Sequence, residues 1–415
     1  MSLIGTDARE QGPRRRPFEQ TLALPRPIGD VRGNGRPVLI PNGKLRLSNL
    51  LSVVPPGTHR PRILPQSLDE GKLHPENHTS RDADVMPELD IAVVIVTYKC
   101  AALTLESLRS VDAERSTTGT RIRVIVVDNA SGDTKDLAEA IKSNNWASWV
   151  TLVTAPRNGG FAYGNNVGIQ RAYDTATPAY VYLLNPDAQV RSGAIASLAR
   201  FLEAHPDVGI AGSSFETRDG SNWPFAFRFP GLMSELLQGM EIGALMRLFD
   251  RWVVARHMSR VAQPTDWICG ASMMIRPSVL ARIGGMDENY FLYFEETDFC
   301  YRAKQAGFPT WYVPDSRVMH IMGQTTTVTD ISAGPRRLPD YWFESRRRYF
   351  AVTYGIGKAI AIDVVTLIAN WVGLIKRIAL KRDRVPHFLR DVIRHSVLWP
   401  RNRNFPDIRC FRPPD

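Results

Sequence analysis

The residues best suited to chemistry lie in one short segment, 284–302. Three carboxylates, Glu295, Glu296 and Asp298, follow four aromatic residues at the start of a predicted helix. Paired acids beside an aromatic wall suit general acid–base catalysis. Acids in a first helical turn also interact favourably with the helix dipole, so a solvated helix start is the alternative. In a protein with a net charge of +10, the cluster favours a general base.

A further carboxylate follows a predicted strand in the sequence Asn185-Pro186-Asp187. A carboxylate at a strand end is a natural ligand for a hard divalent cation such as Mg²⁺ or Mn²⁺. The same three residue types also favour a plain turn, which is the alternative. His320 follows an apolar stretch, where a lone histidine is more often structural than a metal ligand.

Paired glycines and an aspartate follow two other predicted strands. Gly159 and Gly160 open a predicted helix whose backbone N–H groups suit a phosphate or a sugar diphosphate, with a turn that binds nothing as the alternative. Neither GxGxxG nor GxxxxGK[ST] occurs, which disfavours dinucleotide and P-loop sites. Asp128 is placed either to accept hydrogen bonds from a ribose or base, or to cap the next helix.

For these residues to come together in one site, strands must alternate with helices along the chain. Apolar, β-branched runs are typical of parallel strands buried on both faces, and they occur at 91–96, 122–127, 150–153 and 180–184. Stretches with helical periodicity lie at 102–112, 134–145, 162–174 and 192–204. The alternation predicts an α/β fold with a mostly parallel sheet. In such sheets ligands bind outside the carboxyl ends of the strands, which is where the residues above occur.

Composition excludes several protein classes. The chain has 415 residues, 44% of them hydrophobic and 23% charged, which is enough for a sizeable core and unlike a disordered, collagen-like or polytopic membrane protein. The four cysteines are far apart, which predicts reduced thiols rather than a zinc site or a disulfide framework. No secretory signal is recognisable in residues 1–16, so we expect a cytoplasmic location.

The basic surplus lies in the two flanks of the chain. Residues 1–88 carry 12 of the 29 prolines and are predicted to form an arm that is partly ordered or holds a small β element. Residues 376–415 carry 11 Lys and Arg against 4 Asp and follow an apolar stretch of 17 residues, 359–375. That stretch is shorter than the roughly 20 residues of a spanning helix. It predicts either an interfacial helix on an anionic membrane or a helix packed on the rest of the protein.

Taken in order, the motifs resemble the family-two inverting glycosyltransferases of the GT-A fold, in particular the rhamnosyltransferase-like branch. The matching segments are Val96-Thr-Tyr98, Val127-Asp-Asn-Ala-Ser131, Arg157-Asn-Gly-Gly-Phe161, Gly164-Asn-Asn166, Leu184-Asn-Pro-Asp-Ala188, Gly284-Gly-Met-Asp-Glu288, Phe291-Leu-Tyr-Phe-Glu-Glu-Thr-Asp298 and His320. The resemblance implies a Rossmann-like GT-A domain over 89–330, between the arm and a basic helical extension over 331–415.

The resemblance also implies a role for each site residue. Glu296 matches the catalytic base, within an acidic motif that includes Glu295 and Asp298, and Asp187 and His320 match metal ligands. The implied nucleotide-sugar pocket consists of Thr97, Tyr98, Asp128, Asn158, Gly159, Gly160, Phe161, Asn166 and Asn185. Two positions depart from the family pattern, since Asn185 replaces the first acid of the DxD-type motif and Glu296 stands where Asp is commoner.

The implied function is metal-dependent, inverting transfer of a hexose such as rhamnose. The expected donor is a nucleotide-diphosphate sugar, and the expected acceptor is a hydroxyl of a glycan or a polyprenyl-linked sugar in cell-envelope polysaccharide synthesis. A peripheral place on the inner face of the plasma membrane would suit such an acceptor. The alternative is a non-catalytic nucleotide-sugar-binding subunit, for which Asn185 is the argument. Nucleic acid is not expected as a partner, because only the net charge favours it.

Overall fold

The computed structural model describes residues 89–414, except 119, 219, 224, 322–335, 382 and 384. The expected N-terminal arm, residues 1–88, lies outside the described residues. So does the predicted boundary at 330.

The catalytic part expected from the sequence is built on a mixed sheet. Its strands are β1 (Asp90–Thr97), β2 (Arg121–Asp128), β3 (Val150–Thr154), β4 (Tyr180–Leu184), β5 (Ala188–Val190), β6 (Ile210–Glu216), β7 (Asn222–Trp223), β10 (Gln263–Thr265), β11 (Ser272–Ile275) and β12 (Thr310–His320). The order is β10-β12-β6-β11-β4-β1-β2-β3, with β5 on β12 and β7 on β6. A separate two-stranded sheet pairs β8 (Phe225–Phe227) with β9 (Ala255–His257).

Six strands of the large sheet run in one direction. β3, β2, β1 and β4 are joined by parallel pairs, and so are β6 and β12. β11 lies antiparallel between β4 and β6, so both halves of the sheet point the same way. The expected mostly parallel α/β sheet is confirmed, and the carboxyl ends of its six parallel strands share one edge.

Helices cover both faces of the sheet. They are α1 (Ala101–Thr118), α2 (Thr134–Ser143), α3 (Gly160–Thr175), α4 (Ala194–Ala204), α7 (Pro277–Ile283) and α8 (Glu295–Gln305). Alternate residues of β1 enter opposite cores, with Ile91, Val93 and Ile95 on one face and Ala92 and Val94 on the other. Because successive side chains of a strand point to opposite faces, this continuous apolar run fills both layers at once.

A second group of helices packs beside the sheet. It consists of α5 (Leu232–Met240), α6 (Gly243–Leu248), α9 (Asp340–Tyr354), α10 (Ile356–Ala379) and α11 (Phe388–His395), with short 3₁₀ turns at Asp250–Trp252 and Pro400–Asn402. The apolar stretch expected at 17 residues belongs to the 24-residue helix α10. By length and composition alone, α10 is the one helix among the described residues that could cross a membrane, and a third of its most apolar window is buried.

Helix α10 is fixed against α5 by small residues and by a buried charge. A Cβ on Gly373 would overlap the carbonyl oxygen of Gly239, so the two backbones approach closely. The buried Arg346 of α9 pairs with Asp363 of α10 at 2.7 Å and with Glu235 of α5 at 2.6 Å. One cation therefore ties three helices together.

Removing that cation should destabilise the protein strongly. We expect Arg346→Met to lower the free energy of unfolding by about 3–5 kcal/mol, because it leaves the carboxylates of the buried Asp363 and the partly buried Glu235 without a cation. Urea unfolding followed by circular dichroism measures the change. The control is Arg394→Met, whose pair with Asp340 is exposed and spans 3.9 Å, and which should cost less than about 1 kcal/mol. A loss of similar size in both variants would contradict this account.

Candidate functional site

The strand ends bring the predicted site residues to one edge of the sheet. Thr97 at the end of β1 lies in register with Asp128 at the end of β2. At the other side of the site, β5 pairs with the end of β12, and His320 is in register with Ala188, the residue after Asp187. The parallel register thus collects residues that are far apart in the chain.

Asp128 is engaged by its own loop. One carboxylate oxygen accepts the backbone N–H of Ser131 at 2.9 Å and its hydroxyl at 2.6 Å, and the other accepts the hydroxyl of Thr134. Burial raises the pKa of Asp128, but these hydrogen bonds outweigh it and the pKa lies below its usual value. The capping contacts are therefore present, and a role toward a nucleotide stays a prediction.

The neighbouring β1 end combines a buried and an exposed residue. Thr97 is buried and its hydroxyl accepts a hydrogen bond from Thr104 at 2.9 Å. The next residue, Tyr98, is 38% exposed, and the Lys99 ammonium lies 5.3 Å from its ring centre. Tyr98 is thus the residue of this strand end that is free to stack on a planar group.

The glycine loop differs from its sequence-based interpretation. The backbone N–H of Gly159 donates to Asn129 at 3.4 Å, that of Gly160 to Asn158 at 3.1 Å, and that of Phe161 to the carbonyl of Phe291 at 2.9 Å. The N–H groups expected to face a diphosphate have acceptors within the protein. Gly160, with φ +86°, is required for another reason, since a Cβ there would overlap the Phe291 carbonyl.

Asn129 is a residue whose role the sequence analysis missed. Its amide also donates to the side chain of Asn158 at 3.0 Å and to the carbonyl of Gly160 at 3.1 Å, so it clamps the loop at both ends. The only available signal was its place at a strand end, directly after Asp128.

Asn166 joins two segments instead of presenting a free amide. It is buried, donates to the carbonyl of Met286 at 2.7 Å, and accepts the Met286 N–H at 3.0 Å. A third contact reaches Glu288 at 3.1 Å. Asn166 thus fixes the start of the motif segment to α3.

Asp187 and His320 meet as a pair that fits a metal ion. The Nε2 atom of His320 lies 3.3 Å from Oδ1 of Asp187, and both side chains are buried. Asn185 is beside them, with its amide nitrogen 3.5 Å from the same ring nitrogen. Oδ1 of Asp187 and Oδ1 of Asn185 have no hydrogen-bond partner among the described residues. Such unpartnered buried oxygens are what a hard cation would use.

The protein alone supplies few ligands for that ion. No group of three or more His, Cys, Asp or Glu side chains suited to a metal occurs within the described ranges. Divalent ions that act on diphosphates commonly take one or two carboxylates from the protein and complete their shell with phosphate oxygens and water. The Asp187–His320 pair suits an ion bound together with a diphosphate.

The acid pair begins helix α8 after a constrained turn. Tyr293 and Phe294 have φ values of +70° and +68°, a conformation that is costly for aromatic residues and clusters at functional sites. Helix α9 holds the turn, because the hydroxyl of Ser345 donates to the Leu292 carbonyl at 3.0 Å and the Tyr349 ring lies 5.5 Å from that of Phe294. The turn presents the first residues of α8 in one fixed direction.

Both glutamates of the pair favour the protonated state more than exposed glutamates do. Burial raises the pKa of Glu296, against opposing hydrogen bonds from the backbone N–H groups of Glu296 and Gly270. Burial and then the charge of Glu296 raise the pKa of Glu295 well above its usual value. One oxygen of each carboxylate has no hydrogen-bond partner in the described part of the protein. Burial thus disfavours the charged form of both acids.

The loop before β11 links the acid pair to the Asp187 segment. A Cβ on Gly270 would lie 4.0 Å from Cβ of Glu296, and the carbonyl of Ala271 accepts the N–H of Asn185 at 3.1 Å. Cys269 precedes Gly270 in this loop. Burial raises the pKa of its thiol to about 12, and the charges of Glu296, Asp187 and Glu295 contribute. The four cysteines are free thiols, as predicted.

Asp298 lies apart from this group. It pairs with Arg302 at 2.7 Å, and Arg302 also donates to the carbonyls of Ile283 and Gly285 at 3.0 and 2.9 Å. Burial raises the pKa of Asp298 despite the charge of Arg302. The structure therefore brings Glu295 and Glu296 toward Asp187 and directs Asp298 to the support of α8.

Comparisons with known proteins show the family of the chain. The family described as glycosyltransferase like family 2 matches residues 87–335. The N-acetylglucosaminyl-diphospho-decaprenol L-rhamnosyltransferase of Mycobacterium tuberculosis is 29% identical over 255 residues, which are 59% of this chain and 78% of the relative. The dTDP-rhamnosyl transferase RfbF of Shigella flexneri is 24% identical over 239 residues, 56% of this chain and 70% of the relative.

Among solved structures, GalNAc-T7 with UDP, GalNAc and Mn²⁺ superposes with a TM-score of 0.47 at 16% identity, covering 74% of this chain and 57% of that one. The family match alone spans more than half of the chain, and it includes the strand ends, the acid pair and His320. The chain therefore belongs to glycosyltransferase-like family 2, in its rhamnosyltransferase-like branch.

Proposed function

We propose that this glycosyltransferase transfers rhamnose, with inversion, from a nucleotide-diphosphate donor to a hydroxyl of a lipid-linked glycan. The observation that carries the proposal is the position of the acid pair beside Gly270, next to Ala271, whose carbonyl accepts the N–H of Asn185 at 3.1 Å in the Asp187 segment. Rhamnose, the dTDP carrier and a diphospho-decaprenol acceptor occur in the names of the relatives. A role in cell-envelope polysaccharide synthesis follows from that acceptor class.

Glu296 is the proposed general base. It is partly exposed, whereas Glu295 is buried, so an acceptor hydroxyl can reach Glu296. As the acceptor oxygen attacks the anomeric carbon, Glu296 takes the hydroxyl proton and the nucleoside diphosphate leaves from the opposite face. This single displacement inverts the anomeric configuration. Burial and the charge of Glu296 raise the pKa of Glu295 well above its usual value, so Glu295 favours its protonated form.

Asp187 and His320 are the residues that would hold Mg²⁺ or Mn²⁺, with Asn185 beside them. A divalent ion bound there would neutralise the charge that develops on the leaving diphosphate. The proposed metal site has one carboxylate from this segment, that of Asp187, where the DxD-type motif of the family supplies two. It therefore depends on the donor's own phosphate oxygens to complete the site.

Helix α10 supports a place at the membrane surface. Its inner face is buried on α5 and α9, and Asp363 on that face is ion-paired. Its outer face exposes Val364, Ile368, Trp371, Ile375 and Ile378 at alternating spacings of four and three. An apolar stripe with a tryptophan, on a helix whose other face is fixed to protein, suits the interfacial layer of a bilayer rather than a span.

Cations accompany the stripe. Lys376 and Arg377 near the end of α10 bond to Glu241, and Lys381 beyond it is exposed. The turn that follows α6 also exposes Trp252, with the Arg251 guanidinium 5.3 Å from its ring centre. Basic and aromatic residues around an apolar face favour anionic lipid. We therefore propose docking on an anionic membrane on its cytoplasmic side, where a polyprenyl-linked acceptor would be within reach.

Replacing the proposed base should abolish transfer and leave donor binding intact. We expect Glu296→Gln to lower the rate of transfer from dTDP-rhamnose by about 10²–10⁴-fold, the usual contribution of a positioned base. Product formation by mass spectrometry measures the rate, and calorimetry measures donor affinity. The control is Glu139→Gln, whose side chain is 70% exposed on α2. The acidic limb of the wild-type rate should lie above pH 4.5, because burial raises the pKa of Glu296 and only the ionised form acts.

Near-normal turnover of the Gln variant would refute the assignment of Glu296. A wild-type protein that binds dTDP-rhamnose yet neither transfers nor hydrolyses it would favour the non-catalytic subunit instead.

Loss of the metal ligand should act on donor binding. We expect Asp187→Ala to weaken the Mn²⁺-dependent binding of dTDP by at least about tenfold, since even outer-shell changes at metal sites cost that much. Titration calorimetry with Mn²⁺, with Mg²⁺ and with EDTA measures the effect. The control is Asp136→Asn, an exposed acid on α2. A variant whose dTDP affinity still rises with Mn²⁺ as in the wild type would contradict the site.

The exposed stripe should govern vesicle binding. We expect the triple variant Ile368→Ser, Trp371→Ser and Ile375→Ser to have a partition coefficient onto phosphatidylglycerol vesicles about 100-fold lower than the wild type. Each substitution removes an apolar contact with the bilayer worth on the order of 1 kcal/mol. Flotation measures binding, and neutral phosphatidylcholine vesicles should bind the wild type more weakly. Val261→Ser removes an equally exposed residue and serves as control. Equal flotation of the triple variant, or a wild-type dimer that the triple variant loses, would overturn membrane docking.

A further inference from the structure

Residues 405–411 run across the surface of the family domain without helix or strand, and we call them the strap. The segment that they cover, 284–289, is the Gly-Gly-Met-Asp-Glu motif with the residue after it. The strap lies beyond residue 335, where the family match ends. The segment that it covers lies within the family match.

Backbone hydrogen bonds fasten the strap to this segment. The N–H of Gly285 donates to the Phe411 carbonyl at 2.8 Å, and that of Glu288 donates to the Arg409 carbonyl at 2.7 Å. The Asn289 amide donates to the Asp407 carbonyl at 2.9 Å. These bonds reach from Gly285 to Asn289 and restrict the movement of the segment.

The carboxylate of Asp287 is the centre of this contact. Arg348 of α9 donates to it at 2.7 Å and, with another guanidinium nitrogen, to the carbonyl of Pro406 at 2.9 Å. The N–H of Arg409 donates to the other oxygen of Asp287 at 3.2 Å, and Asn289 donates to that oxygen at 2.7 Å. Arg348 and Asp287 are both buried, so their pairing is not weakened by water.

A side chain anchors the far end of the strap. The Phe411 ring is buried and lies 5.3 Å from the ring of Tyr173 on α3. A Cβ on Gly284 would lie 2.8 Å from the Phe411 carbonyl oxygen, closer than side chains approach. The glycine pair of the motif is thus what allows the strap to lie flat on it.

The segment under the strap leads directly to the acid pair. Arg302 of α8 donates to the carbonyls of Ile283 and Gly285 and pairs with Asp298. Five residues, 290–294, separate the segment from Glu295 and Glu296. A displacement of the segment would therefore move the start of α8 relative to Asp187.

We propose that the strap is a positioning element of the active site, which fixes the acid pair through Asp287, Gly285 and Arg302. The inference deepens the proposed function and, for its kinetic part, rests on it. The residues of the strap touch no reacting atom in this account. Their effect is on where Glu296 stands, and misplacement by about 1 Å is enough to cost up to 100-fold in rate.

The test uses two variants of the full chain. Phe411→Ala removes the buried ring, and Arg409→Pro removes the Arg409 side chain together with the N–H that is bonded to Asp287. The matched control is Ile408→Ala, in the same strap and 42% exposed. Hydrogen exchange measured by mass spectrometry follows residues 284–296, with α4 as internal reference. Kinetics with dTDP-rhamnose are measured well below the melting temperature.

We expect both strap variants to exchange faster at 284–296 and to lose about tenfold in kcat with donor KM within about twofold, while the control is unchanged. A lower melting temperature with unchanged exchange and unchanged kcat would show a merely stabilising strap and overturn the proposal. An inactive wild type would refute the proposed function alone, because exchange at 284–296 would still decide whether the strap positions the segment.

Discussion

Two adjacent glutamates at the start of α8, Glu295 buried and Glu296 partly exposed, set the requirement that the surrounding structure meets. Burial of a carboxylate disfavours its charge, and two carboxylates in sequence disfavour a second charge further. An isolated helix end would relieve this by fraying into solvent. Here the turn before α8 is held from outside by α9, from one side by the glycine loop and from below by Arg302. These contacts from α9, the glycine loop and Arg302 keep the two acids together at the start of α8.

The glycines of the site serve this packing. Gly160 lets the α3 start approach the Phe291 carbonyl, and Gly284 lets the strap cover the motif segment. A Cβ on Gly270 would lie 2.8 Å from the ring of Phe161, close to Glu296 as well. Small residues here determine how near the elements come, and hence how little water reaches the acids.

The part of the fold that follows from local pattern was predictable. The strands that became β1, β2, β3 and β4 are continuous apolar runs, and their burial in two cores is what such runs require. The edge of the sheet at which the site lies followed from the parallel direction of these strands. The pairing of Asp187 with His320 did not follow from spacing, because the two residues are joined only by the register of β5 with β12. It came from the resemblance to a family.

Other features depended on contacts that no periodicity reveals. Asn129 and Arg348 look like ordinary polar residues in the sequence, and their roles arise from partners 29 to 61 residues away. In the sequence the N–H groups of the glycine loop suit a ligand, because two of the acceptors that they meet, Asn129 and Phe291, come from separate segments. A one-dimensional pattern shows which residues are apolar and where turns occur, but not which buried polar groups satisfy one another.

The close contact of Gly239 with Gly373 has a consequence for how the enzyme would search for its acceptor. This contact sets the rotation of α10 about its own axis. The exposed apolar stripe of α10 therefore has one fixed orientation relative to the carboxyl edge of the sheet. A protein seated by that stripe and an acceptor anchored by its lipid share a plane, so they meet by diffusion in two dimensions and at a high effective concentration. Recognition of the acceptor then needs fewer direct contacts, which leaves the sugar-binding surface free to diverge.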